Sequence, residues 1–148
     1  MKLTAFLIIA LIISLLSYSA SYDVISTDES YMKVDQVTMR FQGTDAVISI
    51  SYGLDMFSSM YVLLLGAHNL EPAINGFFFD FDDIEIVSIS KDRAVIFAKN
   101  VSRRNDEFYL YDSNELGGTA RLITTVYPDG STQTFLGASA IEATFYTE

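Results

Sequence analysis

The sequence predicts a mainly β protein, a β-rich α+β fold arranged as an antiparallel β-sandwich or sheet of about eight strands with one packed helix. Three observations carry this. Apolar and polar residues alternate in several short runs, as in Val37-Thr38-Met39-Arg40-Phe41, and a period of two belongs to strands with one wet face. Turn-forming clusters recur at hairpin spacing, the clearest being Pro128-Asp129-Gly130. Only one stretch, residues 55–65, changes to a helical period.

The elements follow in order. Val37, Met39 and Phe41 point to one side, the segment Gln42 to Asp45 turns the chain, and Ile48, Ile50 and Tyr52 return inward against Ser49 and Ser51. In the helical stretch Met56, Phe57, Met60, Tyr61 and Leu64 share a face, with Asp55 placed as N-cap and Gly66 as terminator. Val62 and Leu65 leave little polar surface opposite, so the helix is expected to lie largely covered by sheet. A membrane role for it is set aside, because about eleven residues is half a span and no Lys or Arg flanks it. Ala67 to Gly76 reads as loop, punctuated by Pro72 and Gly76. The runs Ile84–Ser90 and Ala94–Val101 are apolar on two faces, which places their hairpin at the centre of the fold. Glu107–Tyr111 is a further strand, Asp112–Gly118 is expected to hold one helical turn, and Arg121–Phe135 forms the Pro-Asp-Gly hairpin. Ile141–Tyr146 closes the chain with Ile141, Ala143 and Phe145 inward. Hairpin-length connections imply antiparallel pairing, since parallel neighbours need long crossovers.

Ahead of this domain stands a hydrophobic leader helix. Lys2 is followed by an apolar run from Leu3 to Leu16, broken only by Thr4 and Ser14, and then by small residues. This is the three-part grammar of a secretory signal peptide. Small residues at the required positions put cleavage before Ala20 or before Tyr22. The competing reading is an uncleaved membrane anchor, since Leu3 to Ala20 just reaches the length of a span. The expected organisation is therefore residues 1–21 as signal peptide or anchor, 22–30 as a flexible lead-in and 31–148 as a single β-rich domain. Either route takes the domain out of the cytoplasm, as a secreted, extracellular or cell-envelope protein.

Composition narrows the function. The 148-residue chain is 50% hydrophobic, enough for one sizeable core. It has no cysteine, so disulfides, thiolate metal sites and a lipidated cysteine are excluded. A net charge of −10 with no basic stripe excludes nucleic acid as an expected partner, because phosphate must be met by Lys and Arg. No nucleophile elbow or glycine-rich phosphate loop is present, and His68 is the only histidine.

Three weak site candidates remain. Asp80, Asp82, Asp83 and Glu85 crowd together, and a kink at Asp82-Asp83 could bring hard oxygen ligands round a calcium ion. The spacing lacks the glycine and ordered acids of a calcium loop, so the plainer expectation is charge that keeps an aromatic strand soluble and blocks edge pairing. Asn100-Val101-Ser102 is an N-glycosylation sequon. Tyr109 and Tyr111 share one strand face and are interface candidates, although cross-strand packing is the commoner role. The expected function is thus that of an exported, acidic, non-enzymatic binding or structural module without a cofactor, its partner an unknown protein or surface glycan, touching membrane only through its N-terminal segment. The alternatives are a secreted hydrolase using paired carboxylates and a weak calcium-dependent binding module.

Overall fold

Strand alternation and turn chemistry produce, in the computed structural model, a chain that is 57% strand and 18% helical over the described residues, 31–148. The leader and lead-in expected at residues 1–30 lie outside the described residues. β1 (Met32–Gln42) and β2 (Asp45–Leu54) form the first hairpin, closed at Gly43, whose φ of 60° a side chain would resist. Then come α1 (Met56–Leu65), a single 3-10 turn (Ala67–Leu70) and α2 (Glu71–Phe77). β3 (Ile84–Ile89) and β4 (Arg93–Ala98) pair next, followed by the short strands β5 (Ser102–Asn105) and β6 (Phe108–Tyr111). The long hairpin of β7 (Asn114–Val126) and β8 (Thr132–Ile141) precedes β9 (Thr144–Tyr146).

These strands make a six-stranded sheet in the order β3-β4-β2-β1-β7-β8 and a three-stranded sheet in the order β5-β6-β9. Pairing is antiparallel except between β1 and β7, which run parallel from Gln36 opposite Leu122 to Arg40 opposite Val126. That corrects the wholly antiparallel expectation. The crossover rule constrains strands adjacent in sequence, whereas β1 and β7 are separated by most of the domain, which serves as the crossover. A second correction concerns the centre of the sheet. β4 is interior, but β3 is an edge strand with Val87 exposed beside a register shift between Ile86 and Ser88. Such an irregularity hinders pairing with another chain.

The core lies against one face of the large sheet. Val37, Met39 and Phe41 of β1 stand opposite Ile50, Ile48 and Ala46 of β2, and Ile48 and Ala46 in turn meet Ile96 and Ala98 of β4. All are buried. At this end of the sheet the core is aromatic. The Phe41 ring stacks on Tyr127 at 5.6 Å, lies 4.6 Å from Tyr146 and meets Tyr111 edge-on at 5.2 Å. Two of these rings belong to β6 and β9, so the small sheet is held over the β1–β2 turn. There Tyr146 donates its hydroxyl to the Gly43 carbonyl at 2.7 Å, and the Ser102 amide donates to the Thr44 carbonyl at 3.0 Å. The opposite face of the large sheet, with Thr38, Ser49, Val95 and Thr124, remains partly open to solvent.

α2 covers the rest of the core with Ile74 and Phe77, followed by Phe78 and Phe81. This segment was expected to be loop. Pro72 instead sits in the first helical turn, where its missing N–H costs nothing, and at Gly76 the helix backbone comes up against β7. A Cβ on Gly117 would collide with the Gly76 carbonyl oxygen, so two glycines meet where α2 crosses the sheet. Instead of the helical turn expected at Asp112–Gly118 the chain is strand from Asn114 onward, with Gly117 allowing this approach. At the C-terminus Tyr146 points inward, whereas Ala143 and Phe145, both expected inward, are exposed.

Candidate functional site

α1 is the feature that the packing of the domain leaves unexplained. Its boundaries agree with the sequence. Asp55 accepts a hydrogen bond from the Ser58 amide at 2.7 Å, and the Gly66 amide donates to the Val62 carbonyl at 2.9 Å where the chain turns with φ of 92°. Its environment does not agree. The helix was expected to be covered, yet Val62, at 7% exposure, is its one buried residue. Phe57 is 79% exposed, Leu63 85% and Leu64 77%, with Met56, Met60, Tyr61 and Leu65 also exposed. The physical reason is supply of core surface. The inner face of the sheet is already filled by α2, its aromatic extension and the small sheet, leaving only a foothold for Val62.

Both ends of α1 are closed by the protein's own groups. At the amino end the Asp55 carboxylate and carbonyl take the amides of Ser58 and Ser59, and Ser59 Oγ donates to the Leu54 carbonyl at 3.4 Å. At the carboxyl end the Asn69 side-chain amide donates to the carbonyls of Leu65 at 3.3 Å and Gly66 at 3.1 Å. The acceptor role of the Asp55 carboxylate, first to the Ser58 amide and side chain, holds its pKa below the ordinary carboxylate value. Beside the helix runs a groove of about 370 Å³ lined by Tyr31, Phe57, Tyr61, Val62 and Leu70, with Ser58 and Asn69 at its polar margin. Tyr31, the first described residue, is tied to this site because its carbonyl accepts from the Asp55 amide at 3.2 Å. An apolar helix, a ring-lined groove and the entry of the chain thus share one corner of the domain. Such a surface can bury apolar matter.

The acidic residues singled out in the sequence do not converge. The bend expected at Asp82-Asp83 is present, but its neighbours turn to different partners. The Asp80 carboxylate accepts from the Glu115 amide at 2.8 Å and fastens the start of β7, while the Asp80 carbonyl accepts from Asn114 at 2.7 Å. Glu85 lies 3.4 Å from the Lys99 ammonium, and the Asp83 carbonyl accepts from the Lys99 amide at 2.9 Å. Asp82 is exposed. Among the described residues no group of three or more His, Cys, Asp or Glu side chains is placed to hold a metal ion.

Asn100 sits exposed in the turn after β4, at a φ of 52° that asparagine tolerates better than most residues, with its amide donating to Asp45 at 2.9 Å. Tyr109 and Tyr111 are buried on the inner side of the small sheet, so their rings are core. Tyr109 stacks on Tyr146 at 5.4 Å, and its hydroxyl reaches the rim to donate to Glu148 at 2.7 Å. That bond to a carboxylate, followed by desolvation, raises the Tyr109 pKa. Tyr111 is raised by burial first and by the charge of Asp80 second. The outward residues of that sheet are Phe108, Leu110 and Phe145, a small apolar face that the sequence reading passed over. His68 is a surface side chain 3.1 Å from Glu71. The signal that could have marked α1 was visible: a helical stretch apolar on every face is either fully buried or meant to meet something.

No protein-family model matches the chain, and neither a curated protein nor a solved structure does.

Proposed function

We propose that this is an exported, acidic β-domain of the cell envelope or extracellular space that works by attachment rather than catalysis, a two-sheet, sandwich-like body presenting one adhesive corner. The observation that carries this reading is the exposure of α1. Burying Phe57, Leu63 and Leu64 at a partner would release about 1.5–3 kcal/mol each before the costs of association. Such a cluster of exposed apolar side chains marks a binding surface on a domain whose own core is complete. The leader supports export, because its charged start, apolar run and small residues match what export machinery reads. The negative charge suits a soluble body that must not stick elsewhere.

The test is fractionation of the native host combined with amino-terminal sequencing. The mature chain is expected outside the cytoplasm, beginning at Ala20 or Tyr22, or else whole in the membrane fraction. Full-length chain in soluble cytoplasm would overturn the reading.

A further inference from the structure

We propose that in the anchored form of this protein α1 is an interfacial helix, lying along the surface of the membrane that the leader enters and buried in its boundary between headgroups and acyl chains. The inference rests on the export reading above and names what its adhesive corner touches. It also reverses the expectation that only the N-terminal segment meets lipid.

Three independent features lead there. The first is placement. The described domain begins at Tyr31, whose ring lines the groove beside α1 and whose carbonyl is bonded to the N-cap residue of that helix. The anchor reading places the span over Leu3 to Ala20, so only residues 21–30 stand between it and the described domain. An anchor in the bilayer therefore attaches the domain at the corner that carries α1.

The second feature is the helix surface. From Met56 to Leu65 the helix carries no charge, and its exposed positions include Met56, Phe57, Met60, Leu63, Leu64 and Leu65. A helix of this length is about 15 Å long, too short to span but suited to lie about 5–10 Å into the interface. Among the described residues no helix is long and apolar enough to cross a membrane. The third is backbone satisfaction. Asp55 closes the amino end and Asn69 the carboxyl end, so the helix can leave water without abandoning its terminal hydrogen bonds.

Charge decides which surface. Asp55 and Glu71, at the two ends of this corner, are acidic, and the chain carries −10 overall. A zwitterionic headgroup layer is therefore favoured over an anionic one, the reverse of basic amphipathic helices.

The chain contains no tryptophan, so single reporters can be placed freely. The full-length protein with Leu64→Trp is reconstituted into phosphatidylcholine vesicles bearing brominated acyl chains. Phe145→Trp, on an exposed strand at the other end of the domain, is the comparison. Both variants should float with the vesicles, and Leu64→Trp should be quenched at least threefold more strongly than Phe145→Trp. Replacing half the lipid by phosphatidylglycerol should weaken that quenching. Equal quenching of the two reporters in floating protein would overturn the inference while leaving the anchored reading intact. A blue-shifted but unquenched Leu64→Trp would overturn it in favour of protein covering α1, whether the leader itself or a second copy. Quenching that strengthens in the anionic vesicles would overturn the assignment to a zwitterionic surface. Protein that fails to float at all would remove the anchored reading and this inference with it.

Discussion

Gly117 shows how much of this fold hangs on single atoms. Its hydrogen faces the Gly76 carbonyl, and a methyl group there would occupy the space of that oxygen and crowd the Phe77 Cα at 3.2 Å. Neither neighbour is a flexible side-chain end, so the backbone of α2 must move. Gly117→Ala should cost ~1–3 kcal/mol in a urea titration, the usual range for overpacking. Gly118→Ala places its methyl 3.5 Å from the edge of the Phe77 ring, an ordinary contact, and should change stability by less than about 0.5 kcal/mol. Equal losses would mean that α2 does not cross β7 at the glycine pair. The same spot explains why sequence reading went wrong locally. Adjacent glycines normally announce a turn, and only the tertiary approach of a helix from forty residues upstream makes them strand residues.

At the scale of elements, α1 is separable from the stability of the rest. Leu63→Ser and Leu64→Ser remove exposed apolar groups and should leave the denaturation midpoint almost unmoved, while making the protein more soluble. Val62→Ala withdraws the single buried foothold and should cost ~1–3 kcal/mol, loosening the helix before the sheet melts. Amide hydrogen exchange would show both effects; protection lost from α1 alone in the Val62 variant is the expected pattern. Elements with local causes were legible beforehand. The β1–β2 and β7–β8 hairpins follow from turn chemistry, and α1 follows from a cap, a period and a terminating glycine. Those set by distant partners were not. Pro72 and Gly76 looked like loop punctuation because nothing local says that a helix starts at one and lies against a strand at the other. β3 looked central because its residues are apolar on both faces, yet β4 alone pairs with it. For the site, composition located every apolar residue of α1 but could not say that the core would already be full. The acidic cluster was legible as a cluster; which backbone amide or lysine each acid would meet depended on β4 and β7.

For the whole molecule, buried phenols set an alkaline limit. Tyr52 is pushed up to about 12, by burial first and by the Asp92 charge second, while its hydroxyl donates to the Ser90 carbonyl at 2.7 Å. Tyr146 is raised chiefly by burial, as is Tyr111. An unfolded tyrosine ionises near about 10, so above that pH the native chain holds more protons than the unfolded one. Stability from these groups is complete below pH ~10 and is lost as pH climbs towards and through their raised native values. In an alkaline titration part of the tyrosinate absorbance of the nine tyrosines should therefore arrive together with loss of far-ultraviolet β signal. A single smooth absorbance step without unfolding would show that these hydroxyls reach water in the native state.

The parallel pairing of β1 with β7 has a mechanical meaning when the domain is pulled from its two ends. β1 begins at Met32, at the start of the described domain, and ends at Gln42, next to the Gly43 carbonyl that Tyr146 grips. Traction between the two chain ends is thus directed along the axis of β1, loading in shear the hydrogen bonds that join it to β2 on one side and β7 on the other. Many bonds must shear at once, whereas a pull on an edge strand such as β3 would peel them one after another. Drawn from its termini in a force spectrometer, the domain should yield at several times the force needed when it is pulled between residue 87 and the carboxyl end. Gln36→Pro, which deletes an amide in the middle of β1, should erase most of that difference. Comparable rupture forces for the two pulling directions would show that β1 is not the strand that bears the load.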